Sequence, residues 1–296
     1  MALVTLNRLL NRAEADGYGV GAFNVGNMEM IRGVVRAAEE TETPVIMQLG
    51  EKRLAYSPLD LMAPMMVQAA KSASVDIAVH FDHGTNIGNM KKALDYGFTS
   101  VMFDGSSLSF EENAERTLQV VKLASRYGAD VEAELGHVGN NSDSSEADEL
   151  EKESPESLAD DRRFTKHDDA AEFCERTGID ALAVAIGNAH GTYPVTPKLS
   201  FGTLEKINAA VDTPLVLHGG TGISPEDFRH AIRSGITKIN IATANYDNTA
   251  AFALEYMKKI MKSKKSSKAN YFELSESEMM GTYQNVRKHI GIFNMK

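Results

Sequence analysis

Short runs of apolar and β-branched residues recur along the chain at fairly even intervals. Eight such runs predict β-strands, and the segments between them carry apolar residues at the spacing of amphipathic helices. Most of these helical segments end at a glycine, a residue that commonly caps a helix C-terminus. The predicted strands are VGAFNV (20–25), PVIMQLG (44–50), IAVHFDHG (77–84), SVMFDGS (100–106), VEAELGHV (131–138), ALAVAIG (181–187), PLVLHGG (214–220) and KINIAT (238–243).

Eight strands that alternate with helices indicate a parallel (β/α)₈ barrel, the TIM barrel of the α/β class. Side chains within the predicted strands support closure, because polar residues share one face and apolar residues take the other. In the third strand, for example, His80 and Asp82 oppose Phe81. A doubly wound open sheet is the alternative that this pattern leaves open.

Two segments depart from the strand–helix period. The acidic segment 139–161 follows the fifth strand and predicts a mobile loop over the open end of the barrel. After Thr243, two helical patterns exceed what an eighth barrel helix needs. We therefore expect one TIM-barrel domain over residues 1–296, with the barrel in about 1–260 and a C-terminal helical extension in about 261–296. We expect the last helix to pack between subunits of a homodimer or homotetramer.

Amino-acid composition argues against several kinds of function. The net charge of −10 and the pI near 5.3 provide no broad electropositive surface for nucleic acid. No apolar run is long enough to predict a membrane span. Cys174 is the single cysteine, so neither an internal disulfide nor a paired-cysteine metal site is expected. We expect a cytoplasmic protein that binds a small molecule.

Polar residues concentrate where the predicted strands end. In barrels of this type the active site lies at the C-terminal ends of the strands, so these side chains are expected to meet there. They are Asn24, Gln48, Asp82, His83, Asp104, Glu134, His190, His218 and Asn240.

Three histidines at these ends suggest a metal centre. His83, His190 and His218 resemble a typical catalytic zinc set with an open fourth position, and Asp104 and Glu134 offer a second carboxylate position. Any one of these histidines alone would more often be structural. His80 is one pleat deeper and is expected to pack or to hold a supporting hydrogen bond. The remaining histidines are expected in loops or on helix surfaces: His137, His167, His230 and His289.

The loops after the seventh and eighth strands predict an anion site. HGGTG (218–222) runs into a helix that begins SPEDF, and NIAT (240–243) ends the last strand. Glycines allow backbone N–H groups to approach a phosphate, and Thr221 and Thr243 add hydroxyls. An ordinary turn with a helix cap is the alternative. A metal beside such a cradle suits a sugar phosphate whose oxygen the metal polarises, with Asp82 moving a proton.

These motifs together resemble the zinc-dependent class II aldolases, the fructose- and tagatose-bisphosphate aldolase family. The resemblance runs in order from GAFNVGNME through HFDHG, SVMFDGS, VEAELGHVG, AVAIGNAHGTY and PLVLHGGTGI to KINIAT. It implies Zn²⁺ held by His83, His190 and His218, with Asp82 as proton donor and a second metal position at Asp104 and Glu134. It also implies contacts to dihydroxyacetone phosphate or substrate from Asn24, Gly191, Gly219, Gly220, Thr221, Asn240, Ile241, Ala242 and Thr243.

Three departures from the family pattern bear on the substrate. Ser142 stands at the position of a catalytic loop glutamate, so the base on the ketone side stays open, with Asp143 and Glu146 as candidates. Ala242 replaces an acidic or amide residue, which favours the tagatose-type branch. The segment whose arginine reaches a far phosphate reads NYFEL here, and no arginine follows NIATANYDN. These features disfavour a second phosphate, so we expect an aldehyde half that is unphosphorylated or otherwise unusual.

Other functions remain as alternatives. A metal-dependent hydrolase on the same barrel often begins with two histidines on its first strand, and VGAFNV has none. A Schiff-base aldolase needs a lysine at a strand end, whereas Lys238 begins its predicted strand. A catalytically inactive sugar-phosphate sensor would not need Asp82 together with all three histidines.

Overall fold

A closed barrel of eight parallel strands forms the centre of the computed structural model, which describes residues 2–140, 160–191, 193, 197–262 and 268–295. Each strand pairs with its neighbours in the chain, and the first pairs with the last through Val20 and Lys238. The predicted barrel is confirmed, and the open sheet is excluded. The strands are β1 Val20–Asn24, β2 Val45–Gly50, β3 Ile77–Gly84, β4 Ser100–Phe103, β5 Asp130–Leu135, β6 Ala181–Val184, β7 Leu215–Leu217 and β8 Ile236–Ile241.

Helices cover the outside of the barrel, and several begin at the caps that the sequence offers. Ser109 forms a capping box with Glu112, and Asn86 and Ser224 accept backbone N–H groups in the same way. The helices are α1 Leu6–Asp16, α2 Met28–Glu40, α3 Leu59–Ser72, α4 Ile87–Asp95, α5 Phe110–Ala124, α6 His167–Thr177, α7 Phe201–Ala210, α8 Pro225–Arg233, α9 Thr243–Lys262 and α10 Tyr271–Phe293.

The N-terminal end of the barrel is closed by α1. Leu6, Leu9 and Leu10 are buried against small and branched residues of the barrel interior, such as Ala22 and Ala183. Burial of this leucine stripe from water stabilises the plug. The opposite end, where the strands have their C-termini, is therefore the open one.

The helical hairpin after β8 belongs to the same packed body. Helix α10 lies against α2 and α9, and Phe293 accepts a hydrogen bond from Gly19 at the start of β1. The prediction that His289 lies on a surface is wrong, because α10 is also covered by α8. His289 is 5% exposed, packs near Phe228, and has Nδ1 2.8 Å from the Asn285 carbonyl oxygen.

Two further features frame the open end. Gly139–Asn140 pairs in parallel with Ala189–His190, which ties the chain after β5 to the chain after β6. The predicted loop residues Ser142, Asp143 and Glu146 lie outside the described residues. Among the helices that the structure describes, none combines the length and apolar character of a membrane span.

Candidate active site

Asp82, near the end of β3, is held by two asparagines from other strands. Its side chain is buried; Oδ2 accepts from Asn24 Nδ2 at 2.9 Å and Oδ1 accepts from Asn240 Nδ2 at 3.2 Å. Gln48 in turn donates to Asn24 Oδ1 at 2.7 Å. Burial would raise the pKa of Asp82, but His83 and the Lys238 ammonium outweigh it and keep that pKa below its usual value. The group is an oriented carboxylate that can exchange a proton.

A buried ion pair lies beneath Asp82. Lys238 Nζ is 2.8 Å from Glu132 Oε2 and donates to Asn240 Oδ1 at 2.7 Å, so its position also fixes the amide that holds Asp82. The other Glu132 oxygen lies 2.8 Å from His218 Nε2. Burial would raise the pKa of Glu132, yet Lys238 and His218 hold it well below its usual value. One chain of polar contacts therefore joins Asp82 to His218.

His83 leaves the strand in a conformation that directs its ring sideways. Its φ of 48° is in the left-handed region, which non-glycine residues occupy mainly where the surroundings impose it. Nδ1 lies 2.9 Å from Asp104 Oδ2, and Asp104 Oδ1 accepts from the Ser106 hydroxyl at 2.7 Å. A carboxylate on one ring nitrogen orients the other toward the centre of the barrel mouth, as in many metal sites.

The three predicted histidines meet with one glutamate. The ring centroids of His83 lie 4.7 Å from those of His190 and His218, and a possible ligand atom of each, with one from Glu134, lies within 4.8 Å of the others. His218 Nδ1 and Glu134 Oε2 are buried and have no hydrogen-bond partner in the described chain, although they are 3.3 Å apart. Orphaned donor atoms of these types fit a metal ion such as zinc.

The electrostatics of this cluster favour a positive charge at its centre. Burial would lower the pKa of His83, but Asp82 and Asp104 raise it to about 10. Burial, with His83 beside it, holds the pKa of His190 well below its usual value. Burial raises the pKa of Glu134, and Asp104 adds to that rise. A proton or a metal ion at this point relieves the repulsion between the carboxylates.

Glycines and threonines form a cradle beside the histidines. Gly219 has a φ of +65°, and a Cβ there would lie 2.1 Å from the Ala189 carbonyl oxygen, so only glycine fits. Thr221 Oγ1 accepts from the Ala244 N–H at 3.0 Å, which joins the β7 loop to the first turn of α9. Thr243 Oγ1 is buried without a partner among the described residues. Backbone amides and a hydroxyl at a helix N-terminus suit a phosphate.

Most of the residues predicted for the site line one narrow cavity, and four do not. His218 is fully buried, Asp104 contacts His83, Glu134 contacts His218, and the Ile241 side chain packs into the outer core. The cavity is lined by Asn24, Asp82, His83, His190, Gly191, Gly219, Gly220, Thr221, Asn240, Ala242 and Thr243. As expected, His80 lies deeper, with Nδ1 2.8 Å from the Ser100 hydroxyl.

Sequence reasoning missed the residues that support the site. Glu132 and Lys238 each stand two positions before a predicted site residue, and the alternation already placed them on the inner face. Strand β8 also begins earlier than predicted, so Lys238 lies within it rather than at its start. Tyr193 accepts from the Ala189 N–H at 2.7 Å and donates to the Gly219 carbonyl at 2.9 Å, and no pattern marked it.

The fold and the site define a class: a (β/α)₈-barrel enzyme that combines side chains able to hold a metal ion with an anion cradle. The chain belongs to the family described as fructose-bisphosphate aldolase class II, whose sequence profile matches residues 4–296. This is a family of lyases, so the resemblance drawn from the motifs is confirmed.

Individual relatives cover most of the chain. It is 40% identical over 243 residues to a sulfofructosephosphate aldolase of Alkalicoccus urumqiensis, covering 82% of this chain and 81% of the relative. It is also 40% identical over 253 residues to a probable fructose-bisphosphate aldolase of Bacillus subtilis, with coverages of 84% and 85%. The crystal structure of the YdjI aldolase from Escherichia coli K12 matches with a TM-score of 0.83 and 33% identity, over 98% of this chain and 97% of that one.

Proposed function

We propose that this protein is a zinc-dependent aldolase that cleaves a ketose 1-phosphate or 1,6-bisphosphate reversibly into dihydroxyacetone phosphate and an aldehyde. The observation that carries the proposal is the placement of Asp82 beside the histidine cluster, with Asn24 and Asn240 fixing its carboxylate. Aldol cleavage needs such a group at the oxygen that becomes the aldehyde. The 296 residues would act as one TIM-barrel domain with α9 and α10 as its extension.

The roles of the residues follow from their contacts. His83, His190 and His218 would hold the zinc, with Glu134 and Asp104 as a possible second metal position. When bound, the ion supplies Lewis-acid polarisation of the ketose oxygen. The backbone of Gly191, Gly219 and Gly220, the hydroxyls of Thr221 and Thr243, and the segment Asn240, Ile241 and Ala242 would hold the phosphate end of the substrate.

Asp82 would then move the proton on the aldehyde oxygen. Its two amide partners hold the carboxylate in place, and Asn24 can contact substrate from the same position. Both amides have second partners of their own, Gln48 and Lys238. The carboxylate is therefore preorganised, which reduces the reorganisation that the transition state would otherwise require.

For the substrate, we propose a tagatose-type ketose phosphate or one that lacks the far phosphate. Ala242 lines the cavity at the position where the family pattern has an acidic or amide residue, which would restrict which sugar fits. The start of α10 presents Tyr271 and Phe272 rather than arginine. A dianion without bidentate partners would lose several charge-assisted hydrogen bonds. Two relatives are named for fructose-bisphosphate and sulfofructosephosphate, so the family itself varies at this end.

Metal content and a panel of ketose phosphates test the proposal together. We expect stoichiometric zinc and EDTA-sensitive release of dihydroxyacetone phosphate from at least one ketose 1-phosphate. Activity that survives complete metal removal would contradict zinc dependence, and phosphate release without carbon–carbon cleavage would indicate a hydrolase. The proposal that the far phosphate is absent would be contradicted if kcat/KM for tagatose or fructose 1,6-bisphosphate were a hundredfold higher than kcat/KM for every ketose 1-phosphate.

We also propose a homodimer or homotetramer. Among the described residues of the hairpin of α9 and α10, four large apolar side chains are exposed, where a second subunit would cover them: Leu254, Met261, Tyr271 and Phe272. Light scattering tests this, and an active, monodisperse monomer would contradict it.

A further inference from the structure

An arginine at the rim of the barrel has a buried nitrogen that lacks an acceptor. Arg53 ends the short 3₁₀ turn Glu51–Arg53 that directly follows β2. The residue is half-buried, and its Nη2 atom is buried without a hydrogen-bond partner in the part of the chain that the structure describes. Its guanidinium lies over the Tyr246 ring, 5.9 Å from the centroid. Buried guanidinium nitrogens are normally hydrogen-bonded, so this one lacks the partner that such a group usually has.

Glu51, the acidic residue in the same turn, already forms hydrogen bonds with other residues. Glu51 Oε2 accepts from the N–H and the hydroxyl of Thr85, both at 2.7 Å, and Oε1 accepts from Asn89 Nδ2 at 2.8 Å. These contacts fasten the turn to the loop after β3 and to α4. Lys52, between the two, is exposed. Arg53 is consequently held against α9 with no carboxylate of its own turn to neutralise it.

Arg53 lies on the side of the barrel mouth where Asp82 and Asn24 stand. Gly50, three residues earlier, is so close to both that a Cβ there would lie 3.8 Å from Asp82 Oδ2 and 3.7 Å from Asn24 Nδ2. Tyr246, whose ring lies against the guanidinium, follows Asn245, whose side chain donates to the Asn24 carbonyl at 2.8 Å. The guanidinium therefore lies above the C-terminal ends of β1 and β2, which we call the β1–β2 sector.

The arrangement of the site directs the far end of a substrate into that sector. The anion cradle lies over β7 and β8, and the histidine cluster with Asp104 and Glu134 occupies the sector from β3 to β7. A ketose with its phosphate in the cradle, and its reacting carbons between the cluster and Asp82, has its remaining carbons over β1 and β2. These are the carbons that leave as the aldehyde.

We infer that Arg53 binds a singly charged oxyanion, a carboxylate or a sulfonate, at the far end of the aldehyde half; this rests on the proposed aldolase function. One guanidinium offers two parallel N–H donors that match two oxygens of such a group and neutralise one charge. A phosphate dianion would need a second cation, and α9 contributes Asp247 rather than a base in its first turns.

The test is carried out in the condensation direction with the zinc-loaded enzyme. Dihydroxyacetone phosphate is combined with short 2-hydroxyaldehydes that end in a carboxylate, a sulfonate, a phosphate or a neutral hydroxyl. We expect the natural enzyme to prefer the carboxylate or the sulfonate over the neutral aldehyde at least tenfold in kcat/KM. Arg53→Gln should lower kcat/KM for the preferred anion ten- to hundredfold and leave the neutral aldehyde within twofold. Arg53→Lys should keep part of the preference, and Lys52→Gln, in the same turn, should keep all of it.

Three results would overturn the inference while the aldolase proposal stands. These are the absence of any preference for an anionic aldehyde, a preference that survives Arg53→Gln, and an equal loss for neutral and anionic aldehydes in that variant. A preference for the phosphate over both other anions would overturn the assignment to a singly charged group. If no aldehyde condenses at all, the proposed function fails first, and the inference fails with it.

Discussion

Lys238 Nζ lies 2.8 Å from Glu132 Oε2 in the interior of the barrel, and neither side chain is exposed. Removal of one partner from such a pair leaves a buried charge without compensation, which costs about 3–5 kcal/mol. We expect Lys238→Met to lower the melting temperature sharply, whereas the double variant with Glu132→Gln recovers most of the loss. Thermal unfolding of both variants checks this. Equal loss in both would mean that Lys238 acts mainly through packing.

Asp82 and His83 are adjacent in the sequence but should respond differently to substitution. Asp82→Ala removes the group that we propose to transfer the proton and leaves the histidine cluster, so we expect zinc to remain and turnover to fall by about 10²- to 10⁴-fold. His83→Ala should lose both the zinc and the turnover. Zinc measured by atomic emission after dialysis, together with kcat, separates the two outcomes. The opposite pattern would mean that the two roles are exchanged.

Gly219 and Gly202 provide a matched pair of glycine substitutions. A Cβ at Gly219 would meet the Ala189 carbonyl at 2.1 Å in a left-handed backbone, so Gly219→Ala should displace the cradle and the neighbouring His190. A Cβ at Gly202, in α7, meets nothing within 4 Å. Gly202→Ala should therefore stabilise the fold by about 0.5–1 kcal/mol. Thermal unfolding and the KM for the sugar phosphate test both. An unchanged KM in Gly219→Ala would contradict the cradle.

Asp130 at the closed end of the barrel makes stability depend on pH. Burial raises its pKa to about 6, and the neighbouring Asp180 adds to that rise. The folded state thus binds a proton that the unfolded state has already lost above about pH 4, and stability declines as the pH rises through 6. Asp130→Asn cannot ionise, so at pH 7.5 it should be more stable by on the order of 1 kcal/mol after solvent screening. Melting temperatures at pH 4 and pH 7.5 check this, because the gain should vanish at the lower pH. An equal difference at both values would contradict it.

The strands and most of the site were predictable because their signals are local. Alternation of polar and apolar residues gives the inner face of each strand, and the parallel direction places all C-terminal ends together. Asp82, His83, His190 and His218 could therefore be assigned to one end of the barrel from the sequence alone. The glycine pattern after β7 predicted the cradle in the same way, and phosphate binding there stays a prediction.

Only the tertiary structure decided which of these side chains touch each other. Asn240 and Asp82 are 158 positions apart and meet because the barrel closes, as do Lys238 and Glu132. The same packing buries His289 beneath α8, fixes Asp104 on His83, and leaves Arg53 Nη2 without an acceptor among the described residues. The sequence by itself determined the barrel, its open end and the chemical groups gathered there. The pairing of those groups depends on strand tilt and helix packing, which arise from contacts between distant residues that no local pattern records.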